Sequence, residues 1–590
     1  MNVKVSDYIA SFLHEAGVQH VYGCIGGAVT HIVDSIFRQR GIKYIHSYHE
    51  QAAAFSASAF AKYSGALGVA VATSGPGATN LITGIADAYF DSAPVLLITG
   101  QVNTYDFKYQ RPVRQCGFQE TDIVNMVKPI TKYSLLLDRA DIVQDELKKA
   151  VKIALSERPG PVLLDIPMDI QRSEISPKAL RSKDICAEDY TRISKDDLEL
   201  ALNAMVHSKR PLILVGGGCR VSNARKELLS LAERFAIPVV VSLLGKDCFP
   251  NDHRLFAGFL GAYGNRYANL ALAGSDLLIA LGSRLDSRQV GNILTPFLEK
   301  EIIQVDLEPD PTDRRFPQKK VITSDIKNFI TQFLCFAEGK KPQPNRHDDW
   351  IRLLSDLKRM FPALDEPKRA KVESFHYNIM EEISRNLSPD DVVSVDIGQN
   401  QMLAAQVLEI KDRQRFITSG GMAPMGYGLP ASISIAIASN KRVILIAGDG
   451  GMQLNIQELN TVGKLRLPIL MFVLDNKSLG MIKQFQDLYF DSRYCDTDEH
   501  SGYHTCDFVA IAKAYGIEAL KISKSTVHWR QKMRKTFSKN AKLPLLVQVE
   551  MDYPTYVYPK LEFDKPIDKP NPKLKPHEEK MLANLGLNLK

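Results

Sequence analysis

The sequence predicts an α/β protein with three doubly wound parallel-sheet domains and an irregular C-terminal tail. Short β-branched runs alternate with helical segments and Gly-rich turns in three separate stretches, the pattern of parallel sheets covered by helices. Polar segments at 171–195 and 339–349 separate the stretches and are interpreted as linkers. The length of 590 residues suits about three to four domains, and 45% apolar with 24% charged residues is typical of globular proteins.

Each stretch contains apolar runs of strand length. In the first domain, residues 1–175, the predicted strands are Gly68–Thr73, Val95–Thr99 and Val162–Ile166. In the second, residues 195–340, they are Leu212–Val215, Val239–Leu243, Leu277–Leu281 and Ile302–Val305. In the third, residues 373–558, they are Val392–Asp396, Val443–Ala447, Ile469–Leu474 and Leu545–Val549.

The tail, residues 559–590, has five prolines between positions 559 and 576, which cannot continue a helix or a sheet. Two interpretations stay open for it: disorder, or wrapping over another surface of the protein. In both interpretations, the prolines favour an irregular backbone.

Composition excludes several classes of protein. The net charge of +7 is small for this length, and the eight basic residues between Lys521 and Lys542 exceed it. We interpret that stretch as the solvated face of a helix and expect no nucleic-acid partner. Eight cysteines without a C-x-x-C pair indicate neither a disulfide framework nor a zinc site. Neither a signal peptide nor a membrane span is recognisable, so we expect a cytoplasmic protein.

The strongest chemical signal lies in the third stretch. The predicted strand Val443–Ala447 ends in Gly448-Asp449-Gly450-Gly451, and the strand Ile469–Leu474 ends in Asp475-Asn476, with Asn476 27 residues after Asp449. Ligands of parallel α/β sheets bind at the carboxyl ends of the strands, and Mg²⁺ prefers oxygen ligands. Glycines and a helix N-terminus admit phosphate. The pattern favours a magnesium–diphosphate site over a Gly-Asp-Gly turn with an unrelated Asn.

These motifs resemble those of the enzymes dependent on thiamine diphosphate (ThDP). From residue 1 to about 560 the chain resembles acetolactate synthase large subunits. The resemblance implies that the three domains bind, in order, the pyrimidine of ThDP, FAD or another nucleotide, and the diphosphate of ThDP. It also implies that Asp449, Asn476 and the carbonyl of Ser478 bind Mg²⁺.

In the first domain, the resemblance identifies a catalytic carboxylate, Glu50, and two residues that hold the reaction intermediate, Gly27 and Gln119. A carboxyl group on the aminopyrimidine ring favours its imino tautomer, which places a base beside the reactive thiazolium carbon. Thr73 and Gly77 belong to the adjoining cofactor loop.

Further cofactor contacts follow from the resemblance. On the ThDP side they are Gly398, Gln399, Asn400, Met425, Gly448, Gly450 and Gly451, with Met425 holding the cofactor in its bent form. On the FAD side they are Gly216, Gly217, Gly282, Arg284, Asp286 and Asp306. Arg288 is expected to meet the negative group of the acceptor. ADP or an empty central domain are the alternatives to FAD, which is structural in acetolactate synthases.

The chain departs from the family pattern around the expected acceptor. Phe485 stands where the family has a Trp that shapes the acceptor pocket, and Phe is smaller and lacks the indole N–H. Ile25 replaces a Pro, Met168 replaces a Lys, and Asn400 replaces a His while still offering a hydrogen bond. The acceptor therefore stays open.

The resemblance implies ThDP- and Mg²⁺-dependent decarboxylation of a 2-oxo acid, pyruvate, with carboligation to a second carbonyl acceptor. The alternatives are a carboligase that adds a two-carbon unit to a keto-sugar nucleotide in surface-polysaccharide synthesis, a pyruvate oxidase-like flavoenzyme, and a catalytically silent structural subunit. It also implies a homodimer or homotetramer whose site lies between the first domain of one subunit and the third of another.

Overall fold

The computed structural model describes residues 2–177, 192–310, 312–340, 346–538, 540 and 542–587, and in this part the chain forms three six-stranded sheets. The strand pairs of these sheets are parallel. Buried apolar clusters cover both faces of each sheet. The predicted fold class is confirmed.

The first sheet has the strand order β3-β2-β4-β5-β7-β6. Its strands are β2 (His20–Gly23), β3 (Lys43–His46), β4 (Gly68–Ala72), β5 (Val95–Gln101), β6 (Tyr133–Leu136) and β7 (Pro161–Pro167). Its helices are α1 (Val5–Glu15), α2 (Thr30–Arg38), α3 (Glu50–Ser64), α4 (Pro76–Asn80), α5 (Ile82–Phe90), α6 (Ile123–Val127), α7 (Val143–Leu155) and α8 (Met168–Arg172).

Part of the first predicted linker is ordered secondary structure. Helix α8 ends at Arg172, and strand β8 (Glu174–Ile175) pairs antiparallel with β1 (Val3–Lys4). The linker prediction is therefore wrong for residues 171–175, because this pairing ties the end of the first domain to its beginning. Residues 178–191 lie outside the described part of the chain.

The central sheet has the strand order β11-β10-β9-β12-β13-β14. The chain adds strands in one direction from β9 to β11 and in the other from β12 to β14, so the strand order reverses between β9 and β12. Its strands are β9 (Pro211–Val215), β10 (Val239–Val241), β11 (Phe256–Phe259), β12 (Leu277–Leu281), β13 (Glu301–Asp306) and β14 (Lys319–Thr323). Its helices are α9 (Lys195–His207), α10 (Gly218–Val221), α11 (Arg225–Phe235), α12 (Arg266–Gly274), α13 (Ser287–Val290) and α14 (Ile326–Phe336). Such a reversal opens a crevice at the carboxyl ends of the strands.

Two helices connect the central and third domains: α15 (Asp348–Met360) and α16 (Glu366–Arg369). The last two residues of the second predicted linker, Asp348 and Asp349, thus begin a helix, whereas residues 341–345 lie outside the described part. Trp350 and Leu357 of α15 pack into the core of the central domain.

The third sheet has the order β16-β15-β17-β18-β20-β19, the same relative order as the first. Its strands are β15 (Val392–Val395), β16 (Arg415–Ile417), β17 (Val443–Gly448), β18 (Ile469–Asp475), β19 (Glu518–Ser523) and β20 (Leu545–Glu550). Its helices are α17 (Phe375–Asn386), α18 (Gln399–Val407), α19 (Gly428–Ser439), α20 (Asp449–Leu454), α21 (Leu459–Leu465), α22 (Gly480–Tyr489), α23 (Phe508–Ala514) and α24 (Trp529–Thr536).

Small residues bring the first and third domains together. Helix α3 is rich in Ala and Ser and packs against α19, which is equally poor in large side chains. Ser56 donates a hydrogen bond to the carbonyl of Pro430 at 3.1 Å, and the rings of Phe55 and Tyr427 lie 5.6 Å apart. This packing fixes the N-terminal end of α3, where Glu50 lies, relative to the third domain.

The tail wraps over the central domain and is not irregular throughout. Its described part includes helix α25 (Pro576–Asn584). Pro576 is compatible with this helix because it occupies the first helical turn, where its missing N–H costs nothing. Ile567, Leu582 and Leu587 are buried in the core of the central domain. Of the two interpretations left open, wrapping is the one the described tail adopts.

Part of the basic stretch 521–542 is paired with acidic neighbours. Lys521 pairs with Glu550 at 2.8 Å and Arg534 with Glu382 at 2.6 Å. Lys524 pairs with Glu373. No helix in the described part of the chain is long and apolar enough to cross a membrane.

Candidate functional site

Two strand ends of the third sheet carry the predicted metal-binding residues. Asp449 is the first residue of α20 and follows β17, whereas Asn476 follows β18. The two strands are neighbours, with Gly448 opposite Leu474 in register. Both polar side chains therefore emerge at the carboxyl-end edge of the sheet, as the sequence pattern predicts.

The carboxylate of Asp449 has one oxygen available. Its Oδ1 accepts a hydrogen bond from the amide of Gly450 at 2.8 Å, whereas its Oδ2 is buried without a hydrogen-bond partner among the described residues. Burial, together with the charge of Asp475, raises the pKa of Asp449 to about 7, while backbone amides, including that of Ser478, act in the opposite direction. A cation would satisfy Oδ2 and keep the group ionised.

The side chain of Asn476 is oriented by two neighbours. Its amide nitrogen donates to Gln399 Oε1 at 3.2 Å and to Thr555 Oγ1 at 2.7 Å. Its Oδ1 faces the amide of Ser478 at 3.3 Å. Both N–H groups of Asn476 thus point away from Ser478, and its side-chain oxygen faces Ser478.

These groups fit Mg²⁺ better than a metal that prefers nitrogen or sulfur. Asp449, Asn476 and the carbonyl of Ser478 offer one carboxylate and two neutral oxygens, and Mg²⁺ usually combines one or two protein groups with phosphate oxygens. Within the ranges that the structure describes, no cluster of three or more His, Cys, Asp or Glu could hold a metal.

A buried carboxylate holds the loop that carries Met425. Asp396 accepts hydrogen bonds from the amides of Gly426 at 3.1 Å and Gly428 at 2.7 Å. Burial raises the pKa of Asp396 to about 6. A Cβ on Gly451 would lie 2.2 Å from Asp396 Oδ1, so only glycine fits there, and a Cβ on Gly450 would meet the Met425 methyl at 3.0 Å.

Asn400 uses both side-chain N–H groups within the protein. Its amide nitrogen donates to the carbonyls of Asp396 at 2.6 Å and Ile446 at 3.2 Å, which uses both N–H groups. Its Oδ1, an acceptor, faces Gly398 and Gly448. Asn400 therefore braces the two strand ends, and its role as a cofactor contact stays a prediction.

The first domain assembles the other predicted residues around Glu50. His49 caps helix α3, and Glu50 accepts a hydrogen bond from Asn80 at 3.0 Å. A Cβ on Gly77 would lie 2.8 Å from Thr73 and 3.2 Å from Glu50 Oε1, so this loop passes close to the carboxylate. The predicted residues Glu50, Thr73 and Gly77 are thus adjacent.

The glycine turn and the loop of Gln119 border the same region. Burial and the charge of Glu50 raise the pKa of Cys24, which places this turn beside the carboxylate, and the turn continues to Gly27. Gln119 has a left-handed backbone (φ 62°) and lies against Gly75. Its neighbour Phe118 is 86% exposed.

A cavity of 460 Å³ lies at the reversal point of the central sheet. It is also lined by Phe90–Ser92 of the first domain and Gly420–Ala423 of the third. The predicted residues that line it are Gly217, Gly282, Arg284, Asp286, Arg288 and Asp306. Gly216 does not line it but packs against the carbonyl of Gly282, where a Cβ would be 1.9 Å away.

Sequence reasoning missed a carboxylate between the first and third domains. Glu458 is buried and accepts hydrogen bonds from the amides of Tyr48 at 2.8 Å and His49 at 3.2 Å. Burial raises the pKa of Glu458 to about 7. No sequence motif marks it, because its partners lie some 410 residues earlier in the chain.

No hydrogen bond between described residues links Glu50 with Asp449, the two halves of the predicted ThDP site. The hydrogen bonds of Glu50 lead to Asn80, whereas those of Asp449 stay within the third domain. The first-domain end that bears Glu50 instead meets the third domain at Glu458 and Asn455.

Comparison with known proteins matches this architecture. Family models of thiamine pyrophosphate enzymes match in chain order: the N-terminal TPP binding domain over residues 3–126, the central domain over 198–333 and the C-terminal TPP binding domain over 396–549. A probable acetolactate synthase large subunit of Methanocaldococcus jannaschii is 36% identical over 570 residues, 93% of this chain and 92% of the relative.

Two bacterial relatives give the same result. The acetolactate synthase large subunit of Haemophilus influenzae is 32% identical over 568 residues, which cover 94% of this chain and 95% of the relative. The large subunit of acetolactate synthase isozyme 3 of Escherichia coli is 33% identical over 524 residues, 88% and 89% of the two chains.

Proposed function

Because this chain belongs to the thiamine pyrophosphate enzyme family and is similar to acetolactate synthase large subunits along most of its length, we propose that it decarboxylates pyruvate and joins the resulting two-carbon unit to a second carbonyl compound. One observation carries the proposal. At the carboxyl edge of the third sheet, Asp449 keeps a buried oxygen without a partner beside the oriented amide oxygen of Asn476.

The residues at this edge fit ThDP and Mg²⁺. Asp449, Asn476 and the Ser478 carbonyl would hold Mg²⁺ against the diphosphate, and the Gly448–Gly451 turn leaves room for phosphate. When bound, ThDP supplies a nucleophilic carbon and an electron sink for loss of CO₂.

Glu50 would hold a proton at the aminopyrimidine ring, with its carboxylate kept in place by Asn80 and by the capped start of α3. The backbone of Gly27 and the side chain of Gln119 would position the donor. Gln119 is exposed beside Gly75, and the space around Gly27 is open, which leaves both accessible to a bound molecule.

We further propose FAD as the ligand of the central cavity. The cavity begins at the glycine cradle of the sheet reversal and continues to the first and third domains, a reach that suits FAD better than ADP. Protein denatured after purification should release a compound that co-chromatographs with FAD. Release of ADP alone, or of no nucleotide, would contradict this assignment.

The proposed assembly is a homodimer or a larger homo-oligomer. Glu50 lies in the first domain and Asp449 in the third, and both domains expose apolar side chains on segments of the predicted site. Ile25 (50%) and Phe118 (86%) lie in the first domain, and Leu454 (55%) in the third. A second copy would cover these side chains and complete the site.

The test is incubation of the purified protein with ¹⁴C-carboxyl-labelled pyruvate, ThDP and Mg²⁺, with products read by mass spectrometry. We expect labelled CO₂ and a product two carbons longer than the acceptor. The absence of labelled CO₂ would contradict the donor assignment. Rapid bleaching of the flavin by pyruvate, followed by acetate or acetyl phosphate as the product, would instead indicate an oxidase.

A further inference from the structure

The ammonium group of Lys560 is buried in the protein without a hydrogen-bond partner among the described residues. Lys560 is 5% exposed. Its Nζ lies 5.9 Å from the ring centroid of Tyr263 and 5.8 Å from those of Phe485 and Tyr489. These rings attract a cation, but they do not replace the hydrogen bonds that an ammonium group loses on burial.

The backbone holds Lys560 in this position. Its N–H donates to the carbonyl of Asn571 at 2.9 Å, and its carbonyl accepts from the amide of Asn571 at 2.8 Å. The next residue, Leu561, donates to the carbonyl of Ala262 at 2.7 Å, and Ala262 donates to the carbonyl of Arg288 at 2.7 Å. Three adjacent segments thus carry Lys560, Tyr263 and Arg288.

The second cation of this cluster is Arg288. Burial raises the pKa of Tyr263 to about 12, and the nearby guanidinium of Arg288 acts in the opposite direction. Arg288 and Tyr263 line the central cavity. Tyr263 therefore lies near two cations, one from the central domain and one from the tail.

The nearby carboxylates do not neutralise Lys560. Asp487 is occupied by two tyrosine hydroxyls, from Tyr494 at 2.5 Å and Tyr556 at 2.9 Å. Burial lowers the pKa of Lys560 to about 8, and Glu562 and Asp487 only partly oppose that change. The ammonium group of Lys560 therefore remains mostly cationic at neutral pH, and no anion of the described chain contacts it. This arrangement indicates that an anion from outside the chain binds there.

This cluster lies on the side expected for the acceptor. Phe485 belongs to α22, the helix that begins at Gly480, directly after the proposed metal loop. On the same helix, Gln484 donates to the carbonyl of Val557 at 3.1 Å and accepts from its amide at 3.2 Å. The tail therefore runs along α22 and places Lys560 near Phe485. Phe485 stands where the family has the Trp of the acceptor pocket.

We propose that Lys560 and Arg288 jointly bind a second anionic group of the acceptor, a phosphate or an additional carboxylate. The inference rests on the proposed carboligation and names its acceptor class: carbonyl compounds with one more negative group than pyruvate or 2-oxobutyrate. One Arg matches the single carboxylate of those acids, whereas a fixed pair of cations suits a doubly charged acceptor.

The test compares acceptors that differ by one charged group, with pyruvate as donor: hydroxypyruvate against 3-phosphohydroxypyruvate, and 2-oxobutyrate against 2-oxoglutarate. The wild type should prefer the more highly charged member of at least one pair. The phosphate and carboxylate pairs distinguish the two sources of charge. Lys560→Met should lower kcat/KM for the preferred acceptor about 10- to 100-fold and change kcat/KM for its less charged partner far less.

Two further variants complete the experiment. Lys560→Arg should retain most of the preference, because it keeps the positive charge. Lys573→Met, at an exposed lysine of the same tail, should leave the preference unchanged. Since Met replaces a buried cation that has no hydrogen-bond partner, Lys560→Met should melt no lower than the wild type.

Equal losses for both members of a pair in Lys560→Met, or a wild type without preference for charge, would overturn the inference. The outcome is separable from the proposed function, because release of labelled CO₂ from pyruvate is measured in the same reactions. If the wild type releases no CO₂, the carboligase proposal fails first. If it releases CO₂ but Lys560→Met leaves the preference intact, only the role of Lys560 fails.

Discussion

At the scale of single residues, two buried carboxylate oxygens without hydrogen-bond partners in the described part of the chain lie at the proposed metal site. Buried carboxylates and ammonium groups normally have hydrogen-bond partners, because desolvation without them costs about 1–3 kcal/mol or more. Asp449 Oδ2, Asp475 Oδ1 and Lys560 Nζ have none among the described residues. The first two lie at the proposed Mg²⁺ site. Binding of a cation there would offset the desolvation cost of these two oxygens, which the protein alone leaves uncompensated.

Asp449→Asn tests this at the metal. In the wild type, saturating Mg²⁺ and ThDP should stabilise the folded protein by about 2.7 kcal/mol at 100 times the dissociation constant. In Asp449→Asn we expect most of this stabilisation to disappear, because a neutral amide replaces the charged ligand. Thermal melts with and without Mg²⁺ and ThDP measure it, and Asp349→Asn, at an exposed carboxylate, is the control. An unchanged melting shift would rule out Asp449 as a metal ligand.

Glu458 should make stability depend on pH. Its pKa is raised to about 7 in the folded chain from an ordinary value of 4.5, so the folded state keeps a proton that the unfolded state releases. Its contribution to stability is complete below about pH 4.5 and is lost as the pH rises through about 7.

In Glu458→Gln this loss should disappear, because the amide oxygen still accepts from Tyr48 and His49 but cannot ionise. The free-energy advantage of the variant should grow between pH 5 and 8 to at most about 3 kcal/mol. Urea unfolding across this pH range measures it, with Glu15→Gln, at an exposed carboxylate of α1, as the reference. A difference that does not change with pH would show that Glu458 does not titrate in this window.

At the scale of elements, the strands and their polar ends were predictable. Parallel strands buried on both faces are continuous apolar runs, and Val443–Ala447 and Ile469–Leu474 coincide with β17 and β18 to within one residue. Because such strands bind ligands at their carboxyl ends, the positions of Asp449 and Asn476 followed from sequence alone.

Contacts distant in sequence were not predictable. Glu458 depends on Tyr48 and His49, and Asn400 donates one side-chain N–H group to the carbonyl of Ile446, 46 residues away. Lys560 lies in a proline-rich segment whose ordering depends on contacts with Ala262 and Asn571. Local patterns record strand periodicity and turns, but they contain no information on which distant group consumes a hydrogen bond.

Helix α25 provides a test of the tail. Leu582 is fully buried in the core of the central domain, whereas Leu585, on the same helix, is 37% exposed. Leu582→Ala should lower the free energy of unfolding by about 2–5 kcal/mol, because it leaves a cavity. Leu585→Ala should lower it by less than about 1 kcal/mol. Denaturant unfolding followed by circular dichroism measures both. Equal, small effects would contradict docking of the tail.

At the scale of the whole molecule, the first and third domains share one strand order and each presents half of the proposed ThDP site. No hydrogen bond between described residues links the two halves. The N-terminal end of α3, with Glu50, meets the third domain at Glu458. Two copies related by a twofold axis would create two equivalent sites, each with Glu50 from one subunit and Asp449 from the other.

Mixing two inactive variants decides between a shared site and a site within one chain. Glu50→Gln and Asp449→Asn should each be inactive alone, with losses of about 100-fold or more. After co-expression in equal amounts, half of the dimers should be hybrids, and each hybrid should contain one site with both residues intact. Activity should therefore recover to about one quarter of the wild-type value, the statistical result for a twofold dimer. Recovery is impossible if both residues act within the same chain, because every site would then carry a substitution. Hybrids separated by a tag should reach about one half of the wild-type value, and steady-state product formation by the mixture and by the purified hybrids measures both.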